Sequence, residues 1–394
     1  MTTISHRLLA LPFLLVSLAT GAWSAPDQAA DADYAALKVL ADQLPPWQSR
    51  GPDGQLSSSR RPARSEWARW FDQQARTKAE AALKFMAEHP TDPRRWDAAV
   101  IAISAMRTFI VAIRPGYDEA ADARDEAKMK SLIDYDDAAM AAWAQRMQHL
   151  VGALLAAPDA SADAVGGALF HRLLTTHTNS KLSAAQKLAQ YRELYKAYSE
   201  RAPQSRNFAT LSSVLLRQTE LEDPTAFAGL LQDMKGSPNS DVAALAIARL
   251  RQAAVKEEGF DLKFTAVDGR EVDLSKLRGK VVLIDFWATW CGPCVAELPN
   301  VKAAYAKYHD HGFEIIGISL DKAADRQKLI DFTTRENMPW PQYFDGKYWK
   351  NELAVKYGIQ SIPSMFLLDQ NGKVVSTNAR GEKLEAEVKR LLNL

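Results

Sequence analysis

A chain of 394 residues is longer than one ordinary hydrophobic core, so two folded domains behind any targeting segment are expected. Its 49 basic and 48 acidic residues leave a formal charge of +1, which creates no field to attract nucleic acid or an anionic membrane. Nucleic acid is therefore not an expected partner, and function has to come from local sites.

The chain opens with a short cationic stretch (His6, Arg7), an apolar run from Leu8 to Leu18, Gly21 and small residues around Ala22-Trp23-Ser24. This is the layout of a secretory signal peptide over residues 1–24, and the expected location is the periplasm. An uninterrupted membrane span needs about 20 apolar residues. The run here is shorter and contains Pro12, so an uncleaved membrane anchor is the alternative reading. The chain holds only two cysteines, Cys291 and Cys294. An exported protein stabilised by disulfides usually carries several, and a bridge closing so small a loop removes little chain entropy. Reactivity explains the pair better than stapling.

Residues 25–258 read as an all-α domain of helical hairpins. Trp67, Trp70, Phe71, Ala75, Ala79, Ala82, Leu83 and Met86 recur at three- and four-residue spacing, which predicts one helix with one apolar face. Breaks at Pro90, Pro93, Arg114-Pro115-Gly116, Pro158, Pro203, Pro224 and Pro238 divide the region into about eight helices. Lys84 to Pro90 and Ala197 to Pro203 share an aromatic residue ahead of a helix-ending proline, a weak sign of a repeat. Residues 45–64, with their Pro, Gly, Ser and Arg, are expected to form an exposed loop or flexible tether.

At Gly259 the pattern changes to that of an α/β domain over residues 259–394. Phe264 to Val267, the turn Asp268-Gly269, and Val272 to Leu274 predict a hairpin. Lys280 to Phe286 is a continuous β-branched run, as in a central strand covered on both faces. A helix from Cys291 to about His309, a buried strand from Phe313 to Leu320 and a helix from Asp325 to Asn337 follow. A hairpin of Ser364 to Asp369 and Lys373 to Thr377, then a helix from Glu382, close the chain. Strand, helix, strand, helix, hairpin, helix is an α/β sandwich.

Trp290-Cys291-Gly292-Pro293-Cys294 directly follows a buried strand and opens a helix, the context that makes a C-x-x-C pair a redox motif. Three residues of helix set both sulfurs on one side within bridging distance. Cys291, at the helix start, faces unpaired amide donors and the positive end of the dipole, which stabilises a thiolate and marks it as the attacking sulfur. Cys294, one turn deeper, is the resolving thiol. A zinc half-site would need two further ligands, and the seven histidines form no companion motif, so no metal is expected. Asp285 is the odd residue in an apolar strand; burial would raise its pKa and suit it to accept the Cys294 proton through a water. Glu297, one helical turn beyond Cys294, is the alternative acceptor.

Asp285-Phe286-Trp287-Ala288, the Trp290 to Cys294 motif and the distant Ile362-Pro363 resemble thioredoxin. Leu274-Ser275-Lys276-Leu277-Arg278-Gly279-Lys280 and Cys294-Val295-Ala296-Glu297-Leu298-Pro299 resemble the exported TlpA/ResA-type thiol-disulfide oxidoreductases. The resemblance covers Gly259 to Leu394. It implies a thioredoxin-like fold, a cis Ile362-Pro363 bond beside Cys291, and a peptide-binding surface made by Trp290, Gly292, Pro293, Ile362 and Pro363. It also implies a protein-disulfide oxidoreductase, reducing in direction, that needs no cofactor beyond its own disulfide. The implied partners are protein thiol or disulfide clients and a membrane thiol reductase as electron donor. Thioredoxin keeps the acid at the place of Asp285, whereas many TlpA/ResA relatives keep the helix glutamate; this chain has both. The alternatives are a disulfide oxidase or isomerase, and a helical scaffold that binds a separate partner and carries an accessory redox domain. A peroxidase of the peroxiredoxin type is disfavoured because Ala288 stands where that group has threonine.

Overall fold

The computed structural model describes residues 28–394, apart from Asp53 and Asn378; the export segment expected over residues 1–24 lies outside the described residues. Two compact units, Met1–Ala164 and Val165–Leu394, make up the chain. No helix among the described residues is long and apolar enough to cross a membrane.

The first unit is mostly helical. It contains α1 (Gln28–Ala41), α2 (Arg64–Glu88), α3 (Arg95–Ser104), the short α4 (Tyr117–Asp122) and α5 (Glu126–Ser131), and α6 (Asp137–Ala156). Two small antiparallel hairpins interrupt the helices, β1 (Gln48–Arg50) with β2 (Leu56–Ser58) and β3 (Ile110–Ile113) with β4 (Ile133–Tyr135). Neither hairpin is evident from sequence pattern, because such short, mostly exposed strands carry no alternation to read. The stretch expected as an exposed loop or tether thus holds a hairpin, entered through the buried Trp47. In α2 the buried stripe is Ala75, Ala79, Ala82 and Phe85, at the three- and four-residue spacing of one helix face. Phe71 lies outside that stripe and is exposed, stacked on Trp67. Buried Asp72 accepts from the Thr108 and Phe109 backbone N–H groups and the Thr108 hydroxyl, so its charge is satisfied where it sits.

The second unit holds α7 (Ala162–Thr178) from Val165 onward, then α8 (Ala184–Arg201), α9 (Asn207–Glu222), α10 (Pro224–Lys235) and α11 (Ser240–Glu258). Eleven helices therefore precede Gly259 among the described residues, against the eight that proline breaks suggest, because not every break carries a proline. Ser183 and Gln186 form a reciprocal capping box that starts α8. The buried Tyr198 hydroxyl donates to the Gly166 carbonyl at 2.8 Å and so ties α8 to α7.

The α/β part holds the hairpin β5 (Lys263–Thr265) and β6 (Glu271–Asp273), then β7 (Val281–Trp287), α12 (Gly292–Tyr308), β8 (Phe313–Ser319), α13 (Arg326–Arg335), β9 (Gln342–Phe344), α14 (Glu352–Lys356), β10 (Ser364–Leu368), β11 (Val374–Ser376) and α15 (Glu382–Leu391). Five strands form one sheet in the order β11-β10-β7-β8-β9; β8 runs parallel to β7 and β9, while β10 is antiparallel to β7 and β11. All seven residues of β7 are buried, as a central strand covered on both faces requires. This is a thioredoxin-like α/β fold. The change of secondary-structure class falls at Gly259, yet α11 packs with the sheet domain: Gln252 Nε2 donates to the Gly358 carbonyl and Arg251 Nη1 to the Val355 carbonyl, each at 2.7 Å. The compact unit accordingly reaches back beyond the sequence boundary.

Candidate active site

β7 delivers the chain to a short loop, Ala288 to Trp290, and Cys291 then caps α12. The Cys291 and Cys294 sulfurs are joined in a disulfide with Cα atoms 5.2 Å apart. The Cys294 backbone N–H donates to Cys291 Sγ at 3.2 Å, so the first cysteine occupies the position where a helix N-terminus presents its unpaired donors. Pro293 occupies the first turn, where its missing N–H removes no helical bond. Both cysteines are nearly buried, whereas Trp290, Gly292 and Pro293 around them are exposed.

Asp285 is the fifth of the seven residues of the sheet's central strand, paired with Met365 on one side and Gly317 on the other.

 It is buried, and burial pushes its carboxyl up to about 7; the Arg380 guanidinium opposes that rise and the Glu297 carboxylate adds to it. Its Oδ1 has no hydrogen-bond partner among the described residues, and neither has the buried Arg380 Nε. Glu297 is engaged elsewhere: its Oε1 accepts the Gly381 backbone N–H at 2.6 Å. The two acids proposed from sequence therefore share one neighbourhood but differ in state, one lacking a partner at Oδ1 and the other already paired.

The Ile362-Pro363 peptide bond is cis, in the loop that enters β10. Pro363 is buried, Ile362 is half-buried, and the Pro363 carbonyl accepts from Arg380 Nη2. Arg380 thus contacts the proline loop and bears electrostatically on Asp285. It escapes sequence reading because it lies in an ordinary-looking loop before α15, with no motif around it. His309, at the far end of α12, lies beside the Phe313 carbonyl and Glu314, consistent with a place outside the chemistry.

A second set of residues fixes the loop ahead of Cys291. The fully buried Asp321 accepts from the Thr289 backbone N–H and, at 2.6 Å, from the Thr289 hydroxyl; it also accepts from the Ser319 hydroxyl at 2.8 Å. The Ser319 carbonyl in turn accepts from Asn351 Nδ2 at 3.2 Å, and Asn351 Nδ2 also donates to Asp345. These polar groups tie the Trp290 loop to the segment that carries Tyr348 and Trp349. No sequence signal singles them out, because their partners come from three separate loops.

Comparison with known proteins agrees with this geometry. The family model described as Redoxin matches residues 251–394. The thiol-disulfide oxidoreductase ResA of Bacillus thuringiensis subsp. konkukian is 30% identical over 138 residues, covering 35% of this chain and 76% of the relative. The ResA of Bacillus anthracis is 31% identical over 140 residues, covering 35% of this chain and 78% of the relative. Among solved structures, the thioredoxin domain of a thiol-disulfide oxidoreductase from Bacteroides vulgatus is 30% identical, covering 34% of this chain and 93% of that one, with a TM-score of 0.31.

Proposed function

The chain belongs, through its C-terminal domain, to the ResA-type thiol-disulfide oxidoreductases, and on that premise we propose that it reduces disulfides of protein clients in the periplasm, with Cys291 attacking and Cys294 resolving. The observation that carries this reading is the Cys291–Cys294 bridge at the start of α12, with a helix N–H aimed at Cys291 Sγ.

In the reduced enzyme the Cys291 thiolate attacks one sulfur of a client disulfide. A Cys291–client bond forms, the client disulfide breaks, and the departing client thiolate takes a proton from solvent. Cys294 then gives its proton through a water to Asp285, and its thiolate attacks Cys291 Sγ. The Cys291–Cys294 bond forms, the mixed disulfide breaks, and the second client thiolate leaves and is protonated. Two electrons have passed from enzyme to client. The enzyme is left as the disulfide seen here, and a dithiol donor must reduce it again; a membrane thiol reductase is the donor that fits an exported protein. The electrons reside in the cysteine pair, so no further cofactor enters the scheme.

The amide groups at the start of α12 support Cys291 as the better thiolate, and the raised pKa of Asp285 supports it as the base for Cys294. The cis Ile362-Pro363 loop provides a backbone edge for the client peptide, and Trp290, Gly292 and Pro293 provide the exposed rim.

Replacing Cys294 by Ser tests the scheme. Exported from its host, this variant should hold clients as mixed disulfides on Cys291 that disperse on reduction; absence of any Cys291-linked species would remove the two-step mechanism. Equilibration of the wild-type pair with glutathione tests direction. A reduction potential close to that of strong oxidants, near –120 mV by order of magnitude, would reverse the assignment from reductant to oxidant.

A further inference from the structure

Trp290 precedes the attacking sulfur and is 38% exposed, and Trp349, 36% exposed, stands beside it. The Trp290 ring centroid lies 5.1 Å from that of Tyr348 and 6.0 Å from that of Trp349, and the last two are 5.9 Å apart. Three mutually touching rings thus form a shelf continuous with the cysteine site. Interplanar angles of 49°, 62° and 73° leave both faces and edges available to an incoming ring.

The shelf is held by structure that the disulfide itself does not need. Tyr348 has φ 56°, in the left-handed region that a bulky side chain avoids. Such a conformation persists only where surroundings impose it, and here they do. The Lys322–Lys347 bridge, the Asn351 bonds to Ser319 and Asp345, and the Thr289–Asp321–Ser319 network hold the two loops side by side. The Lys322 ammonium sits 5.1 Å from the Tyr348 centroid and adds positive charge at the margin.

We propose that Tyr348 and Trp349, together with Trp290, form a subsite for an aromatic side chain of the client close in sequence to the cysteine that bonds Cys291. The proposal rests on the reading that Cys291 attacks client disulfides. While the client sulfur is bonded to Cys291, each further client residue extends its reach by only about 3.3–3.6 Å. The chain that lies over rings adjoining Trp290 is therefore the client's own flanking sequence. An aromatic residue gains ring contacts that serine or an aliphatic residue cannot make, and the Lys322 charge disfavours a flanking Lys or Arg.

The test uses the full-length reduced protein in single turnover with two synthetic peptide disulfides, identical except that Trp or Ser flanks each cysteine. Wild type should reduce the Trp peptide roughly tenfold faster, equivalent to about 1.4 kcal/mol. Tyr348→Ser with Trp349→Ser, and the exposed Trp349→Ser alone, should bring the ratio towards one. Val375→Ser, on the edge strand β11, should keep it. Because the ratio compares two substrates on one protein, loss of folded material cancels. Reduction of oxidised glutathione reports the exchange chemistry separately. A protein that reduces glutathione disulfide but treats both peptides alike, or whose ratio survives in the shelf variants, overturns the shelf alone. One that reduces neither glutathione disulfide nor the peptides overturns the exchange reading and the shelf with it.

Discussion

The Glu297 carboxylate accepts the Gly381 backbone N–H at 2.6 Å, whereas Oδ1 of the neighbouring buried Asp285 has no hydrogen-bond partner among the described residues. Glu297 Oε1 is already occupied by that N–H, whereas the buried Asp285 carboxyl, raised to about 7, is poised to exchange a proton near neutrality. Asp285→Asn should therefore slow release of client from the mixed disulfide by about 100-fold at pH 7. Glu297→Gln should change that step only a few-fold and instead lower stability by about 1–2 kcal/mol through the weakened Gly381 bond. Acid-quench kinetics on a pre-formed mixed disulfide separates the two. Equal slowing by both substitutions would refute the division of roles.

Stability against pH reports the same group. The Asp285 carboxyl is raised from its ordinary 3.8 to about 7 by burial, so between those pH values the folded state binds a proton that the unfolded state has lost. Stability therefore falls as pH rises through this window, and above pH 7 the buried charge opposes folding by about 4 kcal/mol at 1.36 kcal/mol per pH unit. Oxidised Asp285→Asn should be more stable than wild type at pH 8, and the difference should shrink as pH falls towards 4. Urea titration at a series of pH values measures it; a difference that does not vary with pH contradicts the raised carboxyl.

Arg380 bonds the proline loop and bears electrostatically on the acid. Its Nη2 donates to the Pro363 carbonyl, and its charge favours the ionised form of Asp285 against the opposing charge of Glu297. Removing that charge with Arg380→Met should move the pH midpoint of the resolving step upward by about one unit, and Arg380→Lys should restore most of it. A pH–rate profile that keeps its midpoint while the amplitude drops would assign Arg380 a purely structural part.

Local pattern in the sequence encodes much of the redox domain. The apolar run of β7, the helix that begins at the cysteines, the turn at Asp268-Gly269 and the terminal hairpin were all legible, because each is dictated by residues close together in the chain. β9 was not, since three residues after Trp340-Pro341 are too few for alternation to show, and its place at the sheet edge comes from pairing with β8. Arg380, Asp321, Tyr348 and Trp349 carry no sequence signal for a related reason: each matters only through partners that the fold brings from other loops. The domain boundary shows the same limit. Helical periodicity assigns α11 to the helical region, while its contacts with Gly358 and Val355 bind it to the sheet domain.

That last relationship can be tested at one glycine. Gly358 has φ +71°, a conformation L side chains rarely adopt, and a Cβ there would lie 2.2 Å from the Ala248 carbonyl oxygen of α11, a backbone atom that cannot swing aside. Gly358→Ala should combine backbone strain with displacement of α11 and lower stability by about 3 kcal/mol. Gly269 is the control: its φ is +87°, yet nothing lies within 4 Å of a Cβ, so Gly269→Ala carries only the strain, about 1 kcal/mol. Denaturant midpoints of the two variants give the difference that α11 contributes. Equal losses would mean that Ala248 does not press on Gly358, and that α11 is not a working part of the redox domain.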